Sequence, residues 1–434
     1  MHNALNAKTG LAAIVAANTN IDIYIDMFNK LQTKSWTDAF INECVATDKR
    51  YDICTLRLAK ESHSLDNLTI VKAYSLGIKI EFDGVLDFDF NDKLKSTFAD
   101  AIKNGISINK IFAKNEYLDD AMIKNLQNIS HLDCTNNSTI TSCNHLGNAL
   151  KILVANGNSG IGDAGIASCK GIVELRCNRN TKITTCAQFA RTLRKLHIRG
   201  YRTPNSIPSD KQILIKCGIT DDSIKTCKYI EYLDCMGNNE ITTCAPFANT
   251  LKVLVCNDVM TDEGVKLCDS IEKLHCRLYS SGKLLTTCDP FAVSLRTLDI
   301  DFGCGLRDAS FKNCSNVKEF YCNNPHIKSC AAFANSLVKL ELDRASCIND
   351  KGIEECVNIE SLILRGNKYV STLAPFAKTI TKFYYDTIEC LPIRTTDCPN
   401  LKPEYVFAHP LATDHNVCDD MVTYVEENPI WTRE

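Results

Sequence analysis

Ile219-Thr-Asp-Asp-Ser-Ile-Lys-Thr-Cys-Lys-Tyr-Ile-Glu-Tyr-Leu-Asp-Cys235 recurs as Met260-Thr-Asp-Glu-Gly-Val-Lys-Leu-Cys-Asp-Ser-Ile-Glu-Lys-Leu-His-Cys276. Diverged copies start at Leu118, Ile161, Leu306 and Ile348. A second unit runs between them, clearest as Ile241-Thr-Thr-Cys-Ala-Pro-Phe-Ala-Asn-Thr-Leu-Lys-Val-Leu-Val-Cys256, with copies from Ile140, Ile183, Leu285, Ile327 and Val370. The alternating units make twelve repeats between Leu118 and Asp386. Their length of about 20 to 24 residues overrides any domain count taken from chain length.

Each unit carries an apolar-x-x-apolar-x-apolar core, as in Ile230, Leu233, Cys235 or Leu337, Leu340, Leu342. The alternation at its end predicts a short strand with one buried face. In four first-type units Asn137, Asn180, Asn238 and Asn367 follow three residues later. There an amide side chain can pair backbone groups that stacked loops would otherwise strand. Thr220-Asp221 and Thr261-Asp262 are N-cap chemistry and predict a short helix. Pro246, Pro290 and Pro375 suit the first turn of a helical segment in the second unit.

These features resemble the leucine-rich repeat family, specifically its cysteine-containing branch found in substrate receptors of ubiquitin ligases. The resemblance covers about three fifths of the chain, with Ile, Val, Phe or Cys at many expected leucines. It implies an α/β solenoid: a curved parallel β-sheet on the concave side and short helices or turns on the convex side. The Thr-Cys-Ala-Pro-Phe-Ala motif departs from the common receptors and resembles repeat expansions in large DNA viruses of protists.

Composition agrees with a folded, membrane-free chain. Of 434 residues 45% are apolar and 23% charged, and 49 Lys plus Arg against 52 Asp plus Glu leave a net charge of −3. That balance argues against binding nucleic acid or a membrane surface through bulk charge. The longest apolar run, Leu11 to Ala17, is far short of the roughly 20 residues of a membrane span. With Lys8 before it, the run has only the outline of a signal peptide, at the lower limit of length.

Sixteen of the 24 cysteines fall on repeat positions. Cys169, Cys227, Cys268, Cys314 and Cys356 occupy the helical half of the first unit, and Cys134, Cys177, Cys235, Cys276 and Cys322 end its strand. Cys143, Cys186, Cys244, Cys288 and Cys330 open the second unit's turn, and Cys256 ends a strand there. Recurrence at inward positions reads as core packing by free thiols. A reducing compartment is therefore expected, cytoplasmic or nuclear, or virion-associated if the chain is viral. Phe189, Phe247, Phe291, Phe333 and Phe376 are expected to stack as a column of rings, with Leu146 opening it.

Residues 1–50 lack the repeat and have helical spacing, which predicts a helical N-terminal cap. Asp22-Ile-Tyr-Ile-Asp-Met-Phe-Asn-Lys-Leu31 is similar to the first helix of the F-box, without its Leu-Pro opening; the resemblance implies a Skp-type adaptor as partner. Residues 51–117 read as diverged repeats, 118–386 as the twelve regular ones, and 387–434 as a C-terminal cap. Cys390, Cys398, His409, His415 and Cys418 lack the hairpin spacing of a zinc site, so neither metal nor cofactor is expected. No phosphate loop, nucleophile elbow or His-Glu-x-x-His is present, so the chain reads as not an enzyme.

The surface then points to function. The residue between the last two apolar positions of each strand faces the concave side: Asp133, Val154, Arg176, His197, Asp234, Val255, His275, Asp299, Tyr321, Glu341, Ile363 and Tyr384. This row varies while the core row does not, as expected of a face whose chemistry a partner sets. Two patches on it are candidate partner sites. Arg176, Lys195, His197 and Arg199 form a basic centre beside the one long insertion, Gly200 to Gly218, whose Tyr201, Arg202 and Lys211 lie close in sequence. Tyr321, Glu341, Ile363 and Tyr384 form an aromatic stripe, to be left open or covered by the C-terminal tail. The expectation is a non-catalytic protein-interaction scaffold, in one form a ubiquitin-ligase receptor; the alternative is a virion or cytoskeletal component that uses the solenoid as a spacer.

Overall fold

The computed structural model describes residues 54–58, 78–82, 110–113, 118–202, 214–276, 285–386, 397–401 and 406–409, apart from 125, 127 and 128. The expected cap and F-box-like helix at 1–50 lie outside these residues. The chain divides into two compact units, Met1–Leu285 and Thr286–Glu434.

Both units build the same object, a leucine-rich-repeat solenoid with one short parallel strand per repeat. In the first unit Lys110–Phe112, His131–Asp133, Ile152–Val154, Glu174–Arg176, Lys195–His197, Tyr232–Asp234, Val253–Val255 and Lys273–Cys276 pair in parallel, in that order. In the second, Thr297–Asp301, Glu319–Asn323, Lys339–Asp343, Ser361–Arg365, Lys382–Asp386 and Val406–His409 do the same. The twelve regular repeats thus supply twelve strands. Two more come from outside them: Lys110–Phe112 from the stretch read as worn repeats, and Val406–His409 from the tail. Upstream, Cys54–Leu58 and Ile78–Phe82 pair in parallel with each other.

The registers explain why the core row is fixed. Ile111, Leu132, Leu153, Leu175, Leu196, Leu233, Leu254 and Leu274 sit level on successive strands. All eight are fully buried. Burial of each such side chain is worth about 1.5–3 kcal/mol, so the row is held by packing rather than by strand propensity.

Asparagines close the loops between strands. Asn180, buried, donates through Nδ2 to the carbonyls of Ala155 and Ile161, and its Oδ1 accepts the N–H groups of Lys182 and Ile183. Asn137 and Asn367 repeat this arrangement, and Asn238 repeats half of it. Asn257 and Asn324 serve in the same way.

The turn side follows the cap and proline signals. Asp221–Ile224 and Asp262–Val265 are four-residue helices, and the Thr261 hydroxyl accepts the Gly264 N–H at 3.2 Å. Pro246, Pro290 and Pro375 open the short 3-10 turns Ala245–Phe247, Asp289–Phe291 and Ala374–Phe376. Phe247, Phe291 and Phe376 of these turns, and Phe189 and Phe333 of the corresponding turns Ala187–Phe189 and Ala331–Phe333, are buried, but not as rings stacked on one another. Within each unit they recur every second strand, about 9.6 Å apart, beyond ring contact. Phe333 instead meets Phe311 and Phe320 of the intervening repeat edge-on, with centroids at 6.2 and 5.1 Å.

Of the twenty cysteines whose side chains are described, nineteen are buried and all are free, with Cys347 partly exposed. Strand-end thiols bond onward: Cys134 and Cys235 donate to the carbonyls of Val154 and Val255 at 3.3 Å. Turn and helix thiols meet each other, with Cys143 and Cys169 sulfurs 3.7 Å apart, well beyond the roughly 2.05 Å of a disulfide. Burial pushes the Cys134 and Cys322 thiols up to about 12, which removes the reactive thiolate at neutral pH. Brief alkylation of the folded protein should therefore label Cys347 and spare the nineteen, which react only in denaturant. Peptide mass spectrometry showing rapid native labelling of Cys143 or Cys235 would contradict this packing.

Candidate functional site

The registers bring the varied residues into one row per unit. In the first, Asp133, Val154, Arg176, His197, Asp234, Val255 and His275 are level neighbours. In the second, Asp299, Tyr321, Glu341, Ile363 and Tyr384 are. The opposite side chains of the same strands make the core, so this row lines the other face of the sheet.

Arg176, Lys195, His197 and Arg199 come together, and two carboxylates come with them. Glu174 accepts from Arg176 Nε at 2.6 Å and lies 3.8 Å from Lys195 Nζ. Asp234 accepts from Arg199 Nε at 2.6 Å. The imidazole of His197 sits between both, 3.9 Å from Glu174 and 3.7 Å from Asp234, with the Tyr232 ring 4.6 Å away. The Asp234 side chain is only 1% exposed and that of Glu174 9%, whereas Arg176 and Lys195 keep 40% and 57%.

Charge states follow from this setting. Burial alone would raise the Asp234 carboxyl, but Arg199 and His197 outweigh it and hold it below the usual carboxylate range. Glu174 is held low in the same way, chiefly by Arg176 against its own burial. Burial lowers His197, so the imidazole is uncharged at neutral pH and its contacts with the carboxylates are not ion pairs.

Sequence reasoning missed the two carboxylates as partners of the basic groups. Asp234 was in the varied row, and Glu174 lies one outward step before Arg176; the signal was the register, which places both beside His197. The insertion after Arg199 begins and ends as an antiparallel pair, Tyr201–Arg202 with Leu214–Ile215. Lys211 lies outside the described residues.

The second unit clothes its aromatic stripe in polar contacts. Tyr321 donates its hydroxyl to Glu319 at 3.1 Å and accepts from Lys339 Nζ at 2.9 Å, and that ammonium lies 4.9 Å from the ring centroid. Arg365 reaches Glu341 at 3.0 Å. Burial, then Glu319, raises the Tyr321 phenol, so it stays neutral. Ile363 and Tyr384 are half-buried on the next strands. Phe302, 59% exposed just past the strand end at Asp301, is an apolar group that the repeat pattern did not mark. Val406–His409 pairs alongside Lys382–Asp386, so this part of the tail extends the sheet at its edge instead of crossing the stripe.

Among the described residues no three His, Cys, Asp or Glu side chains are grouped to hold a metal ion, and no helix is long and apolar enough to cross a membrane. Of the five residues weighed for zinc, Cys390, His415 and Cys418 lie outside the described residues, and Cys398 is buried.

No protein-family model matches the chain, and no curated protein does. Among solved structures, the functional domain of InlJ from Listeria monocytogenes, described as including a cysteine ladder, is similar to it at 14% identity. That likeness covers 80% of this chain and 70% of the other, with a TM-score of 0.40.

Proposed function

We propose that the protein is a non-catalytic interaction scaffold that takes a protein or peptide on the strand face opposite its core. One observation supports this above all: on the same strands the inward row is uniformly apolar, while the outward row runs through acid, base, aromatic and aliphatic groups. A spacer would need only the inward row. A face recognised by a partner needs both.

In the second unit the anchors are Tyr321 and Tyr384, with Ile363 between them and Glu341, Lys339 and Arg365 as the polar surround. Aromatic groups ringed by polar ones have the make-up of binding hot spots. Tyr321→Ala with Tyr384→Ala is expected to weaken binding of the physiological partner by about 2 kcal/mol or more while leaving the melting temperature nearly unchanged. A lowered melt with unchanged affinity would mean that part of the chain itself covers the stripe. The ubiquitin-ligase form of this reading rests on the family resemblance alone; co-purification of a Skp-type adaptor with the intact chain, lost on deletion of residues 22–31, is its test.

A further inference from the structure

We propose that Arg176, Lys195 and Arg199, fixed around His197 by two buried carboxylates, receive a single phosphorylated side chain of a protein partner. This deepens the reading above and rests on it: the partner contacts the outward row of the first unit.

Three observations favour one compact multivalent anion. The first is rigidity. Glu174 and Asp234 each take one Nε–H at 2.6 Å, which fixes both guanidinium planes before anything binds. Arg176 spends only its Nε–H on Glu174 and its side chain is 40% exposed, so a second acceptor can reach its amino groups. The second is compactness. The cations come from two neighbouring strands about 4.8 Å apart, which suits the oxygens of one phosphoryl group rather than a run of carboxylates spread along a peptide. The third is charge. Three permanent cations against two carboxylates leave one positive charge while His197 is neutral. A phosphate monoester brings about −1.5 to −2, so its arrival leaves a place for one more proton.

His197 is the group positioned to take it. Glu174 and Arg176 face it from one neighbouring strand, Tyr232 and Asp234 from the other, and Lys195 and Arg199 flank it on its own. Burial keeps it neutral in the free protein. An added dianion favours the imidazolium, so phosphate binding and proton uptake at His197 assist one another.

The test uses the full chain, immobilised, and degenerate peptide libraries with a fixed central phosphoserine or phosphotyrosine. The controls are the same libraries after phosphatase treatment and a library with glutamate at the fixed position. At least one phosphorylated library should be retained tenfold or more over both controls. Arg176→Gln with Lys195→Gln should abolish that excess. Lys195→Gln alone leaves both 2.6 Å pairs intact, and should lower retention several-fold even if the double variant fails to fold. His197→Gln should still prefer phosphopeptides but lose the tightening that the wild type shows relative to it between pH 7.5 and 6.5. Equal retention of all libraries, or Lys195→Gln binding as wild type, would overturn the inference. If that happens while Tyr321→Ala with Tyr384→Ala still weakens the physiological partner, the phosphate site alone falls; if the tyrosine variants bind as wild type, the underlying reading falls.

Discussion

Phe333→Ala is expected to destabilise the protein by about 3–5 kcal/mol, the range for removing a fully buried phenylalanine. Phe333 is 1% exposed and touches Phe311 and Phe320 edge-on, so its loss opens a cavity shared by two successive repeats. Urea unfolding should show the second unit's transition at a much lower midpoint, because repeat stability depends on neighbour contacts. Tyr369→Ala, at a residue 46% exposed in the same unit, is the control and should stay within about 0.5 kcal/mol. Equal effects from both would mean that the phenylalanines do not hold the repeats together.

Asp234→Ala comes next in size. Removing one partner of a buried pair costs about 3–5 kcal/mol, because the other charge is left uncompensated. The Arg199 side chain is 24% exposed, so water relieves part of that, and about 2–3 kcal/mol is expected. The dependence on pH has a definite sign. A carboxyl held low in the fold stabilises it above the unfolded value of about 3.9, and that contribution fades as pH falls through the lower folded value. Acid should therefore destabilise the wild type below about pH 4, and Asp234→Ala should show a shallower loss there by thermal melts across pH. A variant with the wild-type acid slope would show that the Asp234–Arg199 pair contributes nothing.

The strands, the inward row and the turn prolines were legible in the sequence because each is fixed by a periodic apolar pattern that admits one register. What escaped was pairing at a distance. Asn257 and Asn324 bond as the other ladder asparagines do, but they follow Cys256 and Cys322 by one and two residues instead of three, so the fixed offset passed over them. Asp221 read as cap chemistry only, and its counterparts Asp120, Asp163 and Asp350 were not singled out. In the fold Asp163 accepts the Thr184 N–H at 2.8 Å, and Asp120, Asp221 and Asp350 do the same for Thr141, Thr242 and Ser371. Each thus fastens one repeat to the next; the signal was a hydroxyl residue recurring 21 positions on. The cysteines were legible as buried but not as pairs, since Cys143 and Cys169 meet only when one unit's turn stacks on the next unit's helix.

The candidate surface was legible as a row and not as an electrostatic arrangement. Reading outward residues gave Arg176, Lys195, His197 and Arg199 as a basic centre. The buried carboxylates that orient them became visible only with the registers Glu174↔Lys195 and His197↔Asp234. Likewise Tyr321 read as an open aromatic ring, whereas Lys339 and Glu319 both bond its hydroxyl. Contacts of this kind depend on side-chain reach across strands, which one-dimensional periodicity does not contain.

Photo-crosslinking from two positions of the second unit tests the binding face most directly. A benzophenone amino acid replaces Tyr321, on the outward strand row, or Val293, 77% exposed just after the Asp289–Phe291 turn. Both variants are irradiated in cells of the native source. The account predicts a discrete protein adduct from position 321 that is absent from 293. Adducts from 293 with none from 321, or the same adducts from both, would contradict it.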